Sequence, residues 1–556
     1  MVTCKVPLVF RQQAARALRA RGLVPSDYLP CLDGPEEEGQ ALSLDELYLA
    51  RRPLSERRRQ GQYHTPEWLV DTLLTWLQWP NNHALLDPAC GTGAFLLPAA
   101  RRLADYCRSQ GLEAKATLAC VERSVIGYDV DPVALFILHV KLCCHMSDLL
   151  LMTGARPNWR LHRRDFLAEG PSDSGDRIIV GNPPWGAQVK QEVARRYQEP
   201  KESAFMFVEE ILRHLVTGTP CALVLPDTIL LKHYPRIRKM ILTHGRICNL
   251  ALLGRIFPDA NVEAVALHLV GCQGSKNHHR IQIWQRKGRQ ALRALPRVEQ
   301  EVFSDLPANR FNVVMSKQGA RWIKRLYEGR ICLRQVYHVH EGIHSGNVRH
   351  KLFLSVDPGE AGRRLLRRGK EVRPFQCRWA GEYVHYEPTL VHRQKGEYAT
   401  LGRPHELGAP KVIVRRTGET LTAAFDEEGV FISNNFFYCL PQAGESLSPK
   451  VLVCLLNSTL MRHLYQLMNP VMGRMFAEVK IIHLGALPVP EPSGRRLQEV
   501  EPDLCGLHDV AKRGGLSPSV QGEIDELVLY LYDFSPRELG QLREHLQRAG
   551  MRYTKE

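Results

Sequence analysis

At 556 residues the chain is longer than one hydrophobic core ordinarily serves, so two or three domains are expected. Its 44% hydrophobic and 24% charged residues lie near the averages of globular proteins, which excludes wholesale disorder and a fibrous class. A formal charge of +15 with a pI near 9.2 fits a polyanionic partner, nucleic acid first, as well as it fits charge that serves only solubility.

The first residues, MVTCKVPLVFRQQAARALRA, lack the long apolar core and small-residue cleavage site of a secretory signal, and nowhere do about 18 apolar residues run together. A cytoplasmic protein without membrane association is expected. Residues 1–60 read as a helical segment, with RQQAARALRA and SLDELYLARRPLSERRRQ on either side of the acidic loop CLDGPEEEG. From 61 to 290 the apolar runs ALLDPA, SVIGYDV, DRIIVGNPP, CALVLPD, RICNLALL, EAVALHLV and RIQIWQ alternate with helical patterns, which predicts an α/β domain with a mainly parallel sheet. The basic stretch KGRQALRALPRVEQ reads as a connector and places a linker at 291–310. Beyond it, from 311 to 556, short strands, glycine turns and aromatic clusters give way to closing helices, so an α+β domain is expected there. The 15 cysteines form no Cys-x-x-Cys pair, and Cys143-Cys144 has no zinc-ligand spacing around it. Buried thiols in a reducing compartment, and no metal site, are expected.

Within the first domain, ALLDPACGTGAFLLPAARRL sets an apolar strand before a glycine turn and an amphipathic helix after it. Gly91 and Gly93 would let backbone approach a nucleotide-like ligand at the helix N-terminus, although a purely structural turn has the same pattern. The next strand, SVIGYDV, ends at Asp129, where dinucleotide-binding folds place the acid that takes ribose hydroxyls. Asp129 alone also reads as a helix cap. Its distance from Gly93 exceeds the usual interval of roughly 20 residues, which we attribute to a longer helix and a loop around CRSQGLEAKAT. In WRLHRRDFLAEG, Asp165 would accept from an adenine amino group while Phe166 packs on the purine face, though Asp-Phe pairs occur in many loops.

The most specific signal is DRIIVGNPPWGA, a buried strand running into Asn182-Pro183-Pro184-Trp185. Two prolines fix the loop and remove two backbone donors, leaving carbonyls and the Asn182 side chain to face a pocket as acceptors. The exocyclic nitrogen of adenine is a poor nucleophile because its lone pair is delocalised into the ring. If the Asn182 oxygen and the Pro183 carbonyl accept its protons, the nitrogen pyramidalises and presents that lone pair to a sulfonium methyl group. Transfer then needs positioning and electrostatics, with neither metal nor covalent intermediate. Trp185 offers a face for a base, worth about 1–3 kcal/mol in single-strand binders. The bland alternative is a proline-stiffened turn over a buried Trp.

The order YHTP, DPACGTGAFL, GYDVDP, RDF, NPPW, IFPDANVEAVAL resembles the gamma-class N6-adenine DNA methyltransferases, particularly the methylase portions of type IIG, Eco57I-like restriction-modification enzymes. The resemblance implies a Rossmann-like domain dependent on S-adenosylmethionine, followed by an α+β target-recognition domain. It implies cofactor contacts from Tyr63, Thr65 and Pro66, from Asp87, Ala89, Gly91 and Gly93, and from Asp129, Asp165 and Phe166. Phe257 matches the aromatic that stacks opposite Trp185 on an extruded adenine; as bare sequence it reads as core. Flipping is required because a stacked adenine cannot bring its amino group to a buried donor. Double-stranded DNA is the expected partner, with Arg363, Arg364, Arg367, Arg368, Lys370, Arg415 and Arg416 offering phosphate contacts or else lining a solvated face. A separately encoded restriction or phage-defence protein is a further conceivable partner. Three other readings compete: an amino-methyltransferase for protein glutamine or RNA, one for cytosine N4 in DNA, and a silent DNA-binding subunit. The long basic second half weighs against the first, Asn-Pro-Pro in this motif order against the second, and the intact loop and glycine turn against the third.

Overall fold

The computed structural model describes residues 6–29, 43–51, 65–81, 83–172, 175–198, 202–231, 234–257, 263–272, 279–288, 290–418, 420–444, 446–470 and 478–548. The chain divides into two compact units, Met1–Val313 and Val314–Glu556.

The first unit is built on one large sheet. Its strands are β1 Ala84–Asp87, β2 Val125–Asp129, β3 Arg160–Arg163, β4 Arg177–Gly181, β5 Pro220–Pro226, β6 Gly245–Gly254, β7 Ala264–Gly271, β8 Arg280–Lys287, β9 Ala291–Ala294 and β10 Val298–Glu299. They lie in the order β10-β8-β6-β7-β5-β4-β1-β2-β3, with β9 paired to β8. Strands β3, β2, β1, β4 and β5 are mutually parallel, while β7 runs antiparallel between β5 and β6. Every residue of β4 is buried, Arg177 at its start included, and the apolar Ile178–Val180 suits a central strand of a parallel sheet with both faces covered. The helices Glu67–Trp76, Leu96–Ser109 and Pro132–His145 pack against these strands.

Three expectations change here. The extra length between Gly93 and Asp129 is a second helix, Ala114–Ser124, whose Thr117, Leu118 and Val121 are buried; KATLACVERS is therefore helical and only the turn before it is a loop. Residues 291–310 are no linker, because β9 and β10 extend the sheet by pairing with β8. Phe311, expected to open the second domain, is buried in the first: its ring stacks on Phe303 at 5.1 Å and its N–H donates to the Leu230 carbonyl.

The N-terminal segment is helical where described, with Leu8–Arg19 burying Phe10, Ala14, Ala15 and Leu18 and packing on Pro132–His145. The acidic loop CLDGPEEEG lies outside the described residues.

The second unit holds two four-stranded sheets. One is antiparallel, in the order Tyr337–Glu341, Phe436–Pro441, Lys411–Arg415, Ala423–Asp426; the other runs Phe353–Leu354, Tyr383–His385, Gly362–Leu366, Phe431–Ile432. Ile343, Leu365, Ile413, Phe431 and Phe436 share one apolar core. The helices Pro449–Asn457, Thr459–Met468, Arg495–Gly514, Pro518–Tyr532 and Pro536–Arg548 follow, which is the α+β order expected. Among the described residues no single helix is long and apolar enough to cross a membrane.

Candidate active site and cofactor turn

Polar residues stand at the carboxyl ends of four neighbouring strands. Across the sheet they are Asn182 just past β4, Asp87 closing β1, Asp129 closing β2 and Asp165 two residues past β3. The chain lays β1, β2 and β3 outward on one side, then returns to place β4 on the other side of β1. Loops leave such a switch point in opposite directions and open a crevice for a ligand.

The two glycines of the turn do different work. Gly91 has φ +51° and a Cβ there would meet nothing within 4 Å, whereas at Gly93, with φ +95°, a Cβ would lie 2.3 Å from Leu138 Cδ1. Only Gly91 borders open space. The absence of a side chain at Gly93 lets the turn close on the helix Pro132–His145, a packing role beside the backbone approach to a ligand expected of it. The Gly91 N–H donates to Asp129 Oδ2 at 2.8 Å and the Asp131 N–H to Asp129 Oδ1 at 2.8 Å. Asp129 thus fastens the turn. A carboxylate has about four acceptor positions, so the same group remains compatible with ribose hydroxyls.

Asp87 is 2% exposed and lies close to Gly181, where a Cβ would fall 3.0 Å from Asp87 Oδ1, tighter than an ordinary contact. Burial pushes the Asp87 carboxyl up to about 8, against the N–H of Ala89, which it accepts at 3.0 Å, and with the added push of the Asp129 charge. Asp165 accepts the N–H groups of Leu167 and Ala168 at 3.1 and 3.3 Å, while Glu169 accepts the Asp165 N–H, so both ends of this short cap are satisfied. Phe166 departs from expectation. Its ring stacks on Phe207 at 5.7 Å, tilts against Tyr128 and is 2% exposed, so it belongs to the core and shows no open face to a purine.

The loop after β4 is held from three directions. Asn182 Nδ2 donates to Thr65 Oγ1 at 3.2 Å, which fixes the orientation of the amide. Ser203 donates to the Pro184 carbonyl and accepts the Ala187 N–H at 2.9 Å, and Glu202 accepts the Gly186 N–H at 2.7 Å. Glu202 and Ser203 begin the helix Ser203–His214; the sequence reading missed them, although an acid-Ser pair before an apolar helical run is a start signal. Pro66 caps the helix Glu67–Trp76 immediately after Thr65, and Tyr63 lies outside the described residues. Trp185 and Phe257 come together, but edge to face, with centroids 5.2 Å apart and planes at 83°. The slot expected between two parallel rings is closed in this conformation.

In the second unit the candidate cations are largely engaged by the protein itself. Arg367 and Arg368 share Glu382, holding its carboxyl below the ordinary range, and Arg364 pairs with Glu428 at 2.9 Å. Arg416 pairs with Glu341, Arg415 donates to the Thr417 carbonyl at 2.6 Å, and Arg363 to the carbonyls of Glu360 and Gly362. Lys370 is exposed. Reading all seven as phosphate contacts is therefore corrected for Arg367, which is half-buried in its own ion pair. Beside it lies a cavity of about 340 Å³ lined by Arg349, Phe353, Arg367, Arg368, Asn434 and Asn435.

A parallel sheet reversing at a glycine turn, three carboxylates and an acceptor loop define an S-adenosylmethionine-dependent methyltransferase. The group fits: a nucleoside sulfonium presents hydroxyl and amino donors and one positive charge, which the carboxylates of Asp129 and Asp165 match, and Gly91 leaves the approach open. Residues 46–295 match the model of the N-6 DNA Methylase family, and residues 364–489 match that of a TaqI-like C-terminal specificity domain. A type II methyltransferase of Thermus thermophilus is 24% identical over 430 residues, 73% of this chain and 86% of that protein. The EcoKI methylase subunit of Escherichia coli K12 is 26% identical over 177 residues, 31% of this chain and 32% of the subunit. The structure of the type IIL restriction-modification enzyme MmeI in complex with DNA superposes with a TM-score of 0.52 at 12% identity, covering 91% of this chain and 77% of that one. At that identity the likeness is one of fold.

Proposed function

We propose that the protein methylates the exocyclic amino group of adenine in a specific DNA sequence, after flipping that base out of the duplex. The observation that carries the reading is the Asn182–Thr65 hydrogen bond, which holds an Asn-Pro-Pro-Trp loop in one orientation at the switch point of the sheet. With Nδ2 committed to Thr65, Asn182 Oδ1 is the acceptor for one amino proton of the target, and the Pro183 carbonyl accepts the other. Those two acceptors draw the nitrogen out of conjugation. S-adenosylmethionine, when bound, supplies the electrophilic methyl group. Asp129 and Asp165 orient its donors, and Gly91 leaves room for it. Trp185 and Phe257 exclude water and stack on the flipped base, offsetting part of the few kcal/mol of lost stacking. The second unit contacts DNA through its remaining exposed cations and the Arg349–Asn434 cavity, as the specificity-domain match and the net charge of +15 support.

The test is methyl transfer from labelled cofactor to duplex DNA, followed by digestion to nucleosides. N6-methyladenine is expected. Label confined to protein, or recovered as N4-methylcytosine, would overturn the reading. Asn182→Ala should abolish transfer while leaving cofactor affinity nearly unchanged, and full activity in that variant would remove the role given to Asn182.

A further inference from the structure

The helix Leu44–Ala50 has no part in the chemistry above, yet two separate chains of contacts lead to it from the glycine turn. Along the first, Gly91 donates to Asp129, Asp129 accepts the Asp131 N–H, and Asp131 Oδ2 accepts the Tyr48 hydroxyl at 2.6 Å. The other oxygen of Asp131 caps the helix Pro132–His145 by accepting the Val133 N–H at 2.9 Å. Along the second, Lys141 Nζ, on that same helix, donates to the Thr92 carbonyl at 3.1 Å and to Asp45 Oδ2 at 2.6 Å. Gly91 and Thr92 are thus both connected to one short helix.

Asp45 and Tyr48 are three residues apart, so they lie on one helix face. Seven residues do not form a stable helix alone in water. This one is nucleated by a capping box, in which Ser43 and Glu46 each accept the other's N–H, and held by burial of Leu44 and Tyr48. Beside that burial it makes two short polar contacts, from Tyr48 to Asp131 and from Asp45 to Lys141, the residues that connect to the turn. Packing alone would need no tyrosine hydroxyl on Asp131 and no lysine bridging to Thr92.

We propose that this helix is a strap that sets cofactor affinity, with Tyr48 and the Asp45–Lys141 pair as positioning residues that hold the turn 91–92 and the acid turn 129–131 in their binding geometry. The inference rests on the methyltransferase reading of that site. Losing one link should leave the protein folded and the loop at 182–185 intact, but allow the turn to populate conformations that do not bind. Affinity for the cofactor falls, while DNA affinity and turnover at saturating cofactor stay as they were.

The experiment uses the full chain with Tyr48→Phe, which keeps the ring and its packing, and independently Asp45→Asn. Calorimetry with S-adenosylmethionine, DNA binding, steady-state kinetics and thermal midpoints are measured for each. A rise of roughly three- to tenfold in cofactor Kd and KM is expected, on the scale of one ordinary hydrogen bond net of solvation, with kcat and DNA Kd unchanged. Unchanged cofactor affinity in both variants overturns the strap. So does a drop in thermal midpoint with cofactor and DNA binding weakened alike, since that marks a general structural role. Wild-type protein that binds no cofactor would overturn the methyltransferase reading and the strap together, which separates the two failures.

Discussion

Truncation of Phe257 tests whether the aromatic pair clamps a base. Its ring and that of Trp185 touch edge to face at 5.2 Å. A base stacked between two parallel rings needs two stacking intervals of about 3.4 Å, so the centroids must part to roughly 7 Å and one ring must turn. Base entry therefore breaks the aromatic contact, worth about 0.5–1.5 kcal/mol, and gains a stacked face worth about 1–3 kcal/mol. Phe257→Ala loses the second but no longer has to break the first. The net change in transition-state stabilisation runs from about −0.5 to about 2.5 kcal/mol, a loss of at most about 60-fold in kcat/KM. Single-turnover methylation should be compared on a paired target and on one with a mismatch opposite the adenine. A mismatch lowers the cost of flipping, so it should return most of the lost rate. The competing account is that Phe257, at 4% exposure, is simply core. Truncating a core Phe typically costs about 3–5 kcal/mol of stability. A thermal midpoint that collapses, with no relief from the mismatch, would refute the clamp.

The remaining expectations concern charge. Asp87 carries a folded-state pKa of about 8 because it is buried, above an unfolded value of about 3.9. Between these values the folded state holds the extra proton, so the associated stability is complete below the lower one and is lost as pH rises towards the upper, at up to about 1.4 kcal/mol per pH unit. Asp87→Asn should flatten the fall in thermal midpoint between about pH 5 and 8; parallel wild-type and variant curves would contradict this. In the second unit, Lys411 Nζ meets Asp426 Oδ2 at 2.6 Å, with both side chains buried. Lys411→Met strands the carboxylate and should cost about 3–5 kcal/mol in chemical denaturation; a cost near zero would mean Asp426 finds another partner. Lys370→Ala should weaken DNA binding and lower the salt slope by about one, whereas Arg367→Ala should act on the thermal midpoint through Glu382. Equal salt slopes in wild type and Lys370→Ala would place Lys370 away from the phosphates.

What was legible in the sequence was the part whose meaning is local. Asn182-Pro183-Pro184-Trp185 after an apolar run fixes a strand, a stiff loop and its acceptors within a dozen residues, and the alternation of runs around it announces a mainly parallel sheet. The ordering of carboxylates at the strand ends follows from the same alternation. Whatever depends on a partner far along the chain stayed hidden. Phe166 reads as a face for a purine until Phe207 and Tyr128 cover it, and Arg367 reads as a phosphate ligand until Glu382 takes its fork. The helix Ala114–Ser124 escaped notice because only Thr117, Leu118 and Val121 of its eleven residues are buried, too short a stripe to stand out as a helical period.

The acids at the strand ends have a second role that bears on how the site works. Short acids at strand ends are the residues best able to cap a following turn, because their oxygens reach the N–H groups two and three residues on. They are also the residues a ribose or an amino group requires. Asp129 holds Gly91 and the Asp131 N–H, Asp131 caps a helix and receives Tyr48, and Asp165 caps the turn after β3. On the proposed reading the same carboxylates build the turn and meet the ligand, so the turn's shape is fixed before a ligand arrives and little ordering remains to be done on binding. Preorganisation of this kind makes cofactor affinity sensitive to groups that never touch the cofactor, which is why Tyr48, some forty residues before the nearest glycine of the turn, belongs to the same energetic unit as Gly91.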